Sequence, residues 1–172
     1  DAGVLIHQYG PHIFHTRSPR VFQYVNRFTP WREYQHRVVA NVHGVLMPVP
    51  FNLTSLAIAF GEEKAARLKE KLLTAYGPER KVTILELRRV DDPELKELAD
   101  YVYENIFKHY TMKQWGTTPE QIDPGTTARV PVFLSEDDRY FQDPYQGLPA
   151  AGYTGMVRAM LDHPNITVEL GC

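Results

Sequence analysis

The sequence predicts an α+β fold in which a helical middle is flanked by strand-forming ends, and three observations carry that prediction. Apolar residues recur at helical spacing through most of the stretch from about Phe51 to Trp115. Runs rich in β-branched residues lie before it, between Tyr34 and Val49, and after it, at Val130–Leu134 and Ile166–Leu170. No internal repeat, low-complexity run or flexible linker separates these parts, so the boundaries are expected between interleaved subdomains. The expected division is residues 1–50 (loop motif, helix and hairpin), 51–125 (helical) and 126–172 (strand, turn, helix and terminal strand). The helical part should form a compact bundle, and the flanking segments should contribute strands to a shared sheet.

In chain order, Val4-Leu5-Ile6-His7 reads as a short strand that Gly10-Pro11 ends. Ser18-Pro19 supplies an N-cap and a proline at the first helical position, and Val21, Phe22, Val25 and Phe28 follow at helical spacing until Pro30. Gln35–Val39 and Val45–Val49 read as a hairpin joined around His43-Gly44, where glycine supplies the positive φ of a tight turn. A Thr54-Ser55 cap opens a helical run to Tyr76, with Ala65, Leu68, Leu72 and Tyr76 on one stripe, and Gly77-Pro78 ends it. Val82–Leu87 has strand-like composition but also the capping-box form Thr83-x-x-Glu86, and a short helix is expected. Asp92-Pro93-Glu94 opens the longest helix, whose Leu95, Leu98, Ala99, Val102 and Ile106 face a core and whose last turn delivers Tyr110. Beyond the loop around Gly125, Val130–Leu134 is strand-like, Asp137-Asp138 is a turn, Thr154 caps a final helix and Ile166–Leu170 is a terminal strand.

Composition narrows the function classes. A net charge of −2, with both signs interspersed, excludes a broad basic field of the kind nucleic-acid or membrane surfaces require, so local cations must do any phosphate binding. The one cysteine, Cys172, forms no disulfide framework or cysteine metal site and suits a reducing cytoplasm. No hydrophobic stretch is long enough to span a bilayer.

The segment Tyr110-Thr111-Met112-Lys113-Gln114-Trp115-Gly116 concentrates two aromatics, a hydroxyl, a cation and an amide, and Arg129 and Tyr140 follow it. Aromatic faces stack on bases and sugars, and a guanidinium forks onto phosphate oxygens, so Tyr110, Trp115 and Arg129 suggest a nucleotide diphosphate. On pattern alone, aromatics after an amphipathic helix are more often packing anchors. His12 and His15 could ligate a metal, but no third ligand accompanies them at useful spacing, and a structural role is the commoner outcome. His36 is read as projecting from the hairpin, where a lone histidine is usually surface. Asp137 and Asp138 invite an acid/base reading, yet nothing nearby suggests the burial that would raise a carboxyl pKa, so neither is taken as catalytic.

Tyr110-Thr111-x-Lys113-Gln114-Trp115-Gly116, then Arg129-x-Pro131-Val132, Tyr140-Phe141 and Gly152-Tyr153-Thr154, resembles UDP-galactopyranose mutase in order and near-family spacing. Tyr9-Gly10-Pro11-His12-Ile13-Phe14-His15-Thr16 is a second long match. The resemblance covers essentially the whole chain and implies an antiparallel sheet within an FAD-dependent mutase. It implies interconversion of UDP-galactopyranose and UDP-galactofuranose, with reduced FAD supplying the covalent chemistry and UDP-galactose as the ligand. It places Tyr110 and Thr111 on the uridine side, Trp115 at the border of the site, Arg129 and Tyr140 at the diphosphate, and His36 facing the substrate. Gly10, Pro11, His12 and His15 would lie on the flavin side, Gly10 permitting close backbone approach. The family's G-x-G-x-x-G turn is not found here, so the resemblance implies an internal piece that retains no flavin and does not turn over alone; a homodimer of the intact protein stays open. Two other readings stay open: a non-catalytic module that binds a UDP-sugar or only packs helices, and a different flavoprotein of related architecture, which would lack the Lys113-Gln114-Trp115-Gly116 run.

Overall fold

The computed structural model describes residues 3–118, 121–123 and 131–171, and it is a mixed fold whose strand pairs are all antiparallel among the described residues, apart from one isolated bridge. The chain divides into two compact units, Asp1–His36 with Phe141–Cys172, and Arg37–Tyr140. Gly125, Arg129 and Val130 lie outside the described residues.

The first unit is built on a three-stranded sheet in the order β1 (Phe14–Thr16), β7 (Tyr145–Pro149), β2 (Trp31–Glu33). Segments from before and after the helical middle share this sheet, but none of its strands is one the sequence predicts, and the expected hairpin forms a sheet of its own. Its central strand pairs Gly147 with Phe14 on one side and Glu33 on the other. A Cβ at Gly147 would sit 2.9 Å from the Arg32 carbonyl oxygen and 3.4 Å from the Trp31 ring, so only glycine lets the strands close here. Phe14, Phe22, Trp31 and Tyr145 form an aromatic cluster, with Phe14–Trp31 centroids at 4.7 Å and Phe22–Tyr145 stacked at 4.5 Å. Helix α1 (Pro19–Val25) begins as the sequence says: Ser18 Oγ accepts from the Val21 N–H at 3.3 Å, with proline at the first position.

Three expectations fail in this unit, and one strand goes unread. Val4–His7 is not a strand and stays exposed, the first strand forming only beyond the Gly10-Pro11 break. Ile166–Leu170 pairs with no strand among the described residues; β-branched composition favours a pleated surface but cannot supply a neighbour. Strand β7 was masked by its glycine and proline. Helix α7 (Gly152–Leu161) has Ala151 at its N-cap with no side-chain bond, and Thr154 sits inside the first turn.

The second unit holds the hairpin and the helices. Strands β3 (Val38–Val42) and β4 (Val45–Val49) meet at His43 and Gly44, whose φ values of 52° and 89° are both left-handed, and Asn41 Oδ1 accepts from the Gly44 N–H at 2.8 Å. Because this two-residue turn sets the register at Val42–Val45, the first strand lies three residues later than the expected Gln35–Val39, and His36 precedes the hairpin instead of projecting from it. The run from Thr54 to Tyr76 is two helices, α2 (Leu53–Phe60) and α3 (Glu62–Tyr76), split by Gly61 at φ 74°, ψ 163°. The cap of α2 is Asn52 and not Thr54-Ser55.

Val82–Leu87 resolves its ambiguity by dividing: Val82 belongs to β5 (Lys81–Val82), paired with β6 (Val132–Phe133), while Ile84–Leu87 is α4, capped by Thr83 Oγ1 on the Glu86 N–H at 3.1 Å. In α5 (Pro93–Val102), Asp92 accepts from the N–H groups of Glu94 and Leu95, and Lys71 bridges Asp92 and Glu94 at 2.7 and 2.8 Å. Leu68, Leu72, Val82, Ile84, Leu87, Leu95, Leu98 and Ala99 pack into one core with Met47 and Phe51.

Candidate functional site

The Tyr110–Trp115 segment is the end of a helix whose register has been shifted. From α5 the chain passes through a π-helical turn at Tyr103–Phe107 into α6 (Lys108–Trp115). The buried stripe Leu95, Leu98, Ala99, Val102, Ile106 would, at unbroken α spacing, next bury positions near 109–110 and 113. One wide turn adds a residue, and the stripe continues instead through Phe107 to Thr111, which is 5% exposed. Tyr110 is thereby left 47% exposed and Trp115 56% exposed. The turn is braced by Asn105, whose Nδ2 donates to the Tyr101 carbonyl at 2.9 Å and whose Oδ1 faces His43 Nε2 at 3.1 Å, and by the Arg88 guanidinium 3.9 Å over the Tyr103 ring. Gly116, left-handed at φ 68°, closes the helix, and Lys113 lies in its last turn, where a cation complements the helix dipole.

Tyr140 ends the turn after β6. Asn52 Nδ2 donates to Asp138 Oδ1 at 2.8 Å, and Arg139 forks onto Asp137 at 2.7–3.0 Å. Asp137 is therefore an ion-pair partner, its carboxyl held below the usual range first by the Arg139 hydrogen bonds, against opposing burial. Burial, and secondarily Tyr110, push the Tyr140 phenol upward, which puts the two phenols within electrostatic reach of each other. Of the sequence-derived residues, the structure leaves Tyr110 and Trp115 outward, sets Thr111 on the packed side of the same helix and half-buries Tyr140, with Arg129 outside the described residues.

In the first unit, Gly10 has φ 97° and its absent Cβ would meet no atom within 4 Å, so the backbone there is open to close approach. His12 Nδ1 donates to the Gly10 carbonyl at 2.8 Å, and Pro11 and His12 are exposed. His15 stacks on Phe141 with centroids 3.6 Å apart, and His36 faces the same ring at 6.1 Å. His15 Nδ1 lies 2.5 Å from Asp143 Oδ2, and Arg17 Nε donates to Asp143 Oδ1 at 2.7 Å. Among the described residues, no group of three or more His, Cys, Asp or Glu side chains converges as a metal site would require. No described helix is long and apolar enough to cross a membrane. The π-turn and Asp143 were not found from the sequence, and Phe141 entered only as part of a motif, without its stacking role; a π-turn has no local composition signal, and an aspartate paired over more than a hundred residues has none either.

Asp143 burial opposes ionisation, but the hydrogen bonds from His15 and Arg17 outweigh it, and the carboxyl ends below its ordinary value. A depressed folded-state carboxyl contributes stability above its unfolded pKa of about 3.9, and that contribution is lost as pH falls through the lower folded value. Chemical-denaturation midpoints should therefore respond little to Asp137 and Asp143 from pH 7 to 5 and fall below about pH 4. Asp137→Asn should flatten part of that fall, and an unchanged acid limb in this variant would remove Asp137 from the account.

Residues 105–172 match the family described as UDP-galactopyranose mutase. Over 97% of its length the chain is 36% identical to a protein named probable UDP-galactopyranose mutase from Klebsiella pneumoniae, covering 43% of that relative. It is 34% identical over 98% of its length to a dTDP-fucopyranose mutase of Escherichia coli, covering 44% of it, and 34% identical over 99% to a UDP-galactopyranose mutase of Mycoplasma pneumoniae, covering 43%. The chain thus spans less than half the length of these curated relatives. Two motif regions in the right order, a family match that takes in the Tyr110–Trp115 segment, and likeness along nearly the whole chain agree: the chain is similar to UDP-galactopyranose mutases over almost all of its length.

Proposed function

We propose that this chain supplies much of the nucleotide-sugar site of a flavin-dependent isomerase that interconverts UDP-galactopyranose and UDP-galactofuranose. The observation that carries the reading is the exposed Tyr110 and Trp115 on a helix end whose rotation a π-turn sets. A core role would bury both rings; here Thr111 is the packed residue. Tyr110 offers a face to the uracil, Trp115 borders the sugar-nucleotide, Tyr140 donates its phenol proton to a diphosphate oxygen, and Arg129 forks onto the same diphosphate. Charge that grows on the departing UDP is where such donors lower a barrier most.

The open backbone at Gly10, beside exposed Pro11 and His12, fits the approach of a flat ring, so Gly10, Pro11, His12 and His15 would hold the flavin side. Reduced FAD, when bound by the intact protein, supplies the bond-making at the anomeric carbon. The chain's own groups orient the nucleotide and exclude water from the reacting face.

Titrating UDP into the chain should quench Trp115 emission weakly, in the millimolar range, in a Trp31→Phe background that removes the second indole. Trp31 lies in the aromatic cluster of the sheet, where phenylalanine keeps most of the packing. An unchanged spectrum at millimolar UDP would leave Trp115 without a ligand role here. The relative named for dTDP-fucopyranose favours running dTDP beside UDP: a stronger response to dTDP would move the substrate to a deoxythymidine sugar while keeping the site.

A further inference from the structure

His15 and Asp143 are 128 positions apart in sequence, yet one strand places both. Gln146 of β7 is the register partner of His15 in β1, so the sheet itself sets where the imidazole starts. The Gln146 side chain then reaches back, its Nε2 donating to the carbonyls of Phe141 at 2.9 Å and Asp143 at 2.8 Å. That brace holds Phe141 flat against the His15 ring and Asp143 Oδ2 against its Nδ1. Ring plane and ring rotation are thus both determined, which is more than packing a surface histidine requires.

An ionised carboxylate only accepts, so the nitrogen facing Asp143 must carry the proton. In the neutral ring this leaves Nε2 with its lone pair, and Nε2 has no protein hydrogen-bond partner among the described residues. Arg17 occupies the other carboxylate oxygen, so Asp143 cannot swing away without giving up a second charge-assisted bond. We propose that Asp143 is a positioning residue for His15, holding the Nδ1–H tautomer so that Nε2 accepts a hydrogen bond from an N–H or O–H donor of the bound ligand. The ligand half rests on the flavin-side reading of the Gly10–His15 motif; the tautomer half does not.

The imidazole nitrogens of the 15N-labelled chain, recorded at alkaline pH, test it. His15 should show a protonated Nδ1 and a bare Nε2. Asp143→Asn should abolish that pattern, giving a mixed or Nε2–H form, whereas Arg17→Met, which removes the other partner of the same carboxylate, should leave it intact. A protonated Nε2 in the unaltered chain overturns the proposal even if the Asp143 variant fails to fold. So does an equal effect of Arg17→Met, which would make Asp143 a general ion-pair scaffold. Adding FAD or UDP to the 15N-labelled intact protein then reads the ligand half: movement of the Nε2 resonance with FAD alone puts the donor on the flavin, and movement with UDP alone puts it on the nucleotide. No movement with either, while flavin absorbance shows FAD bound and the tautomer is intact, overturns the ligand half; failure of the intact protein to bind FAD at all overturns the flavin-side reading instead, and the Asp143–His15 lock stands in both cases.

Discussion

Asn52→Ala is expected to cost about 3 kcal/mol of stability, read as a shift in the urea midpoint and a fall in Tm of roughly 6–12 °C. Asn52 is 2% exposed and uses both ends of its amide. Its Oδ1 caps α2 by accepting from the Ser55 N–H at 2.9 Å, and also accepts from Ser55 Oγ at 3.0 Å. Its Nδ2 donates to Asp138 Oδ1 at 2.8 Å and to the Asp137 carbonyl at 3.3 Å. Alanine removes the cap, worth about 1 kcal/mol, and strips part-buried acceptors of their donor, worth a further ~1–3 kcal/mol. Asn52→Ser should lose less, because a hydroxyl still caps the helix but is too short to reach Asp138. The functional corollary is that Asn52 holds the turn that carries Tyr140, so the alanine variant should also weaken UDP quenching at temperatures where it remains folded. A loss below about 0.5 kcal/mol, the scale of an ordinary surface substitution, would show that the two segments are held together without Asn52.

On the proposed reading, Arg129→Lys in the intact protein is expected to lower kcat/KM by roughly ten- to a hundredfold, equivalent to about 1.5–3 kcal/mol in the barrier, with Tm almost unmoved. Lysine keeps the charge but gives up the two parallel N–H contacts a guanidinium makes to diphosphate oxygens. The loss should fall on binding and on stabilisation of the leaving UDP alike. Arg129 follows a stretch of sequence rich in Thr, Gly and Pro, composition typical of surface positions, where a substitution is typically worth less than ~0.5 kcal/mol of stability. Arg139 offers an internal comparison: its guanidinium is committed to Asp137, so Arg139→Lys should cost stability more than turnover. If the Arg129 variant instead melts much lower while its folded fraction turns over normally, Arg129 is a structural partner and the diphosphate assignment is withdrawn.

What the sequence by itself determined are the features whose energetics are local. Ser18-Pro19, Thr83-x-x-Glu86 and Asp92-Pro93 each place a capping oxygen within reach of an N–H two or three residues on, so the start of each helix is legible without knowing its neighbours. The same holds for the turn at His43-Gly44 and for the stripe from Leu95 to Ile106, whose spacing alone gives a face that must be covered. The resemblance to the mutases was legible for a similar reason, since its motifs are contiguous runs. Other features depend on partners far along the chain. Gly147-Leu148-Pro149 carries no strand signal and becomes a strand only with Trp31–Glu33 and Phe14–Thr16 on either side of it, and Val4–His7 looks like a strand but forms none. Asn52 displaced the Thr54-Ser55 cap because Asp138 rewards its second amide atom, and Gly61 split a helix that composition alone would have continued. The candidate site belongs mostly to this second class. Which of Tyr110 and Thr111 turns outward depends on one extra residue in the π-turn, and the partner of His15 depends on strand register; both are decided by packing, which no short window of sequence contains.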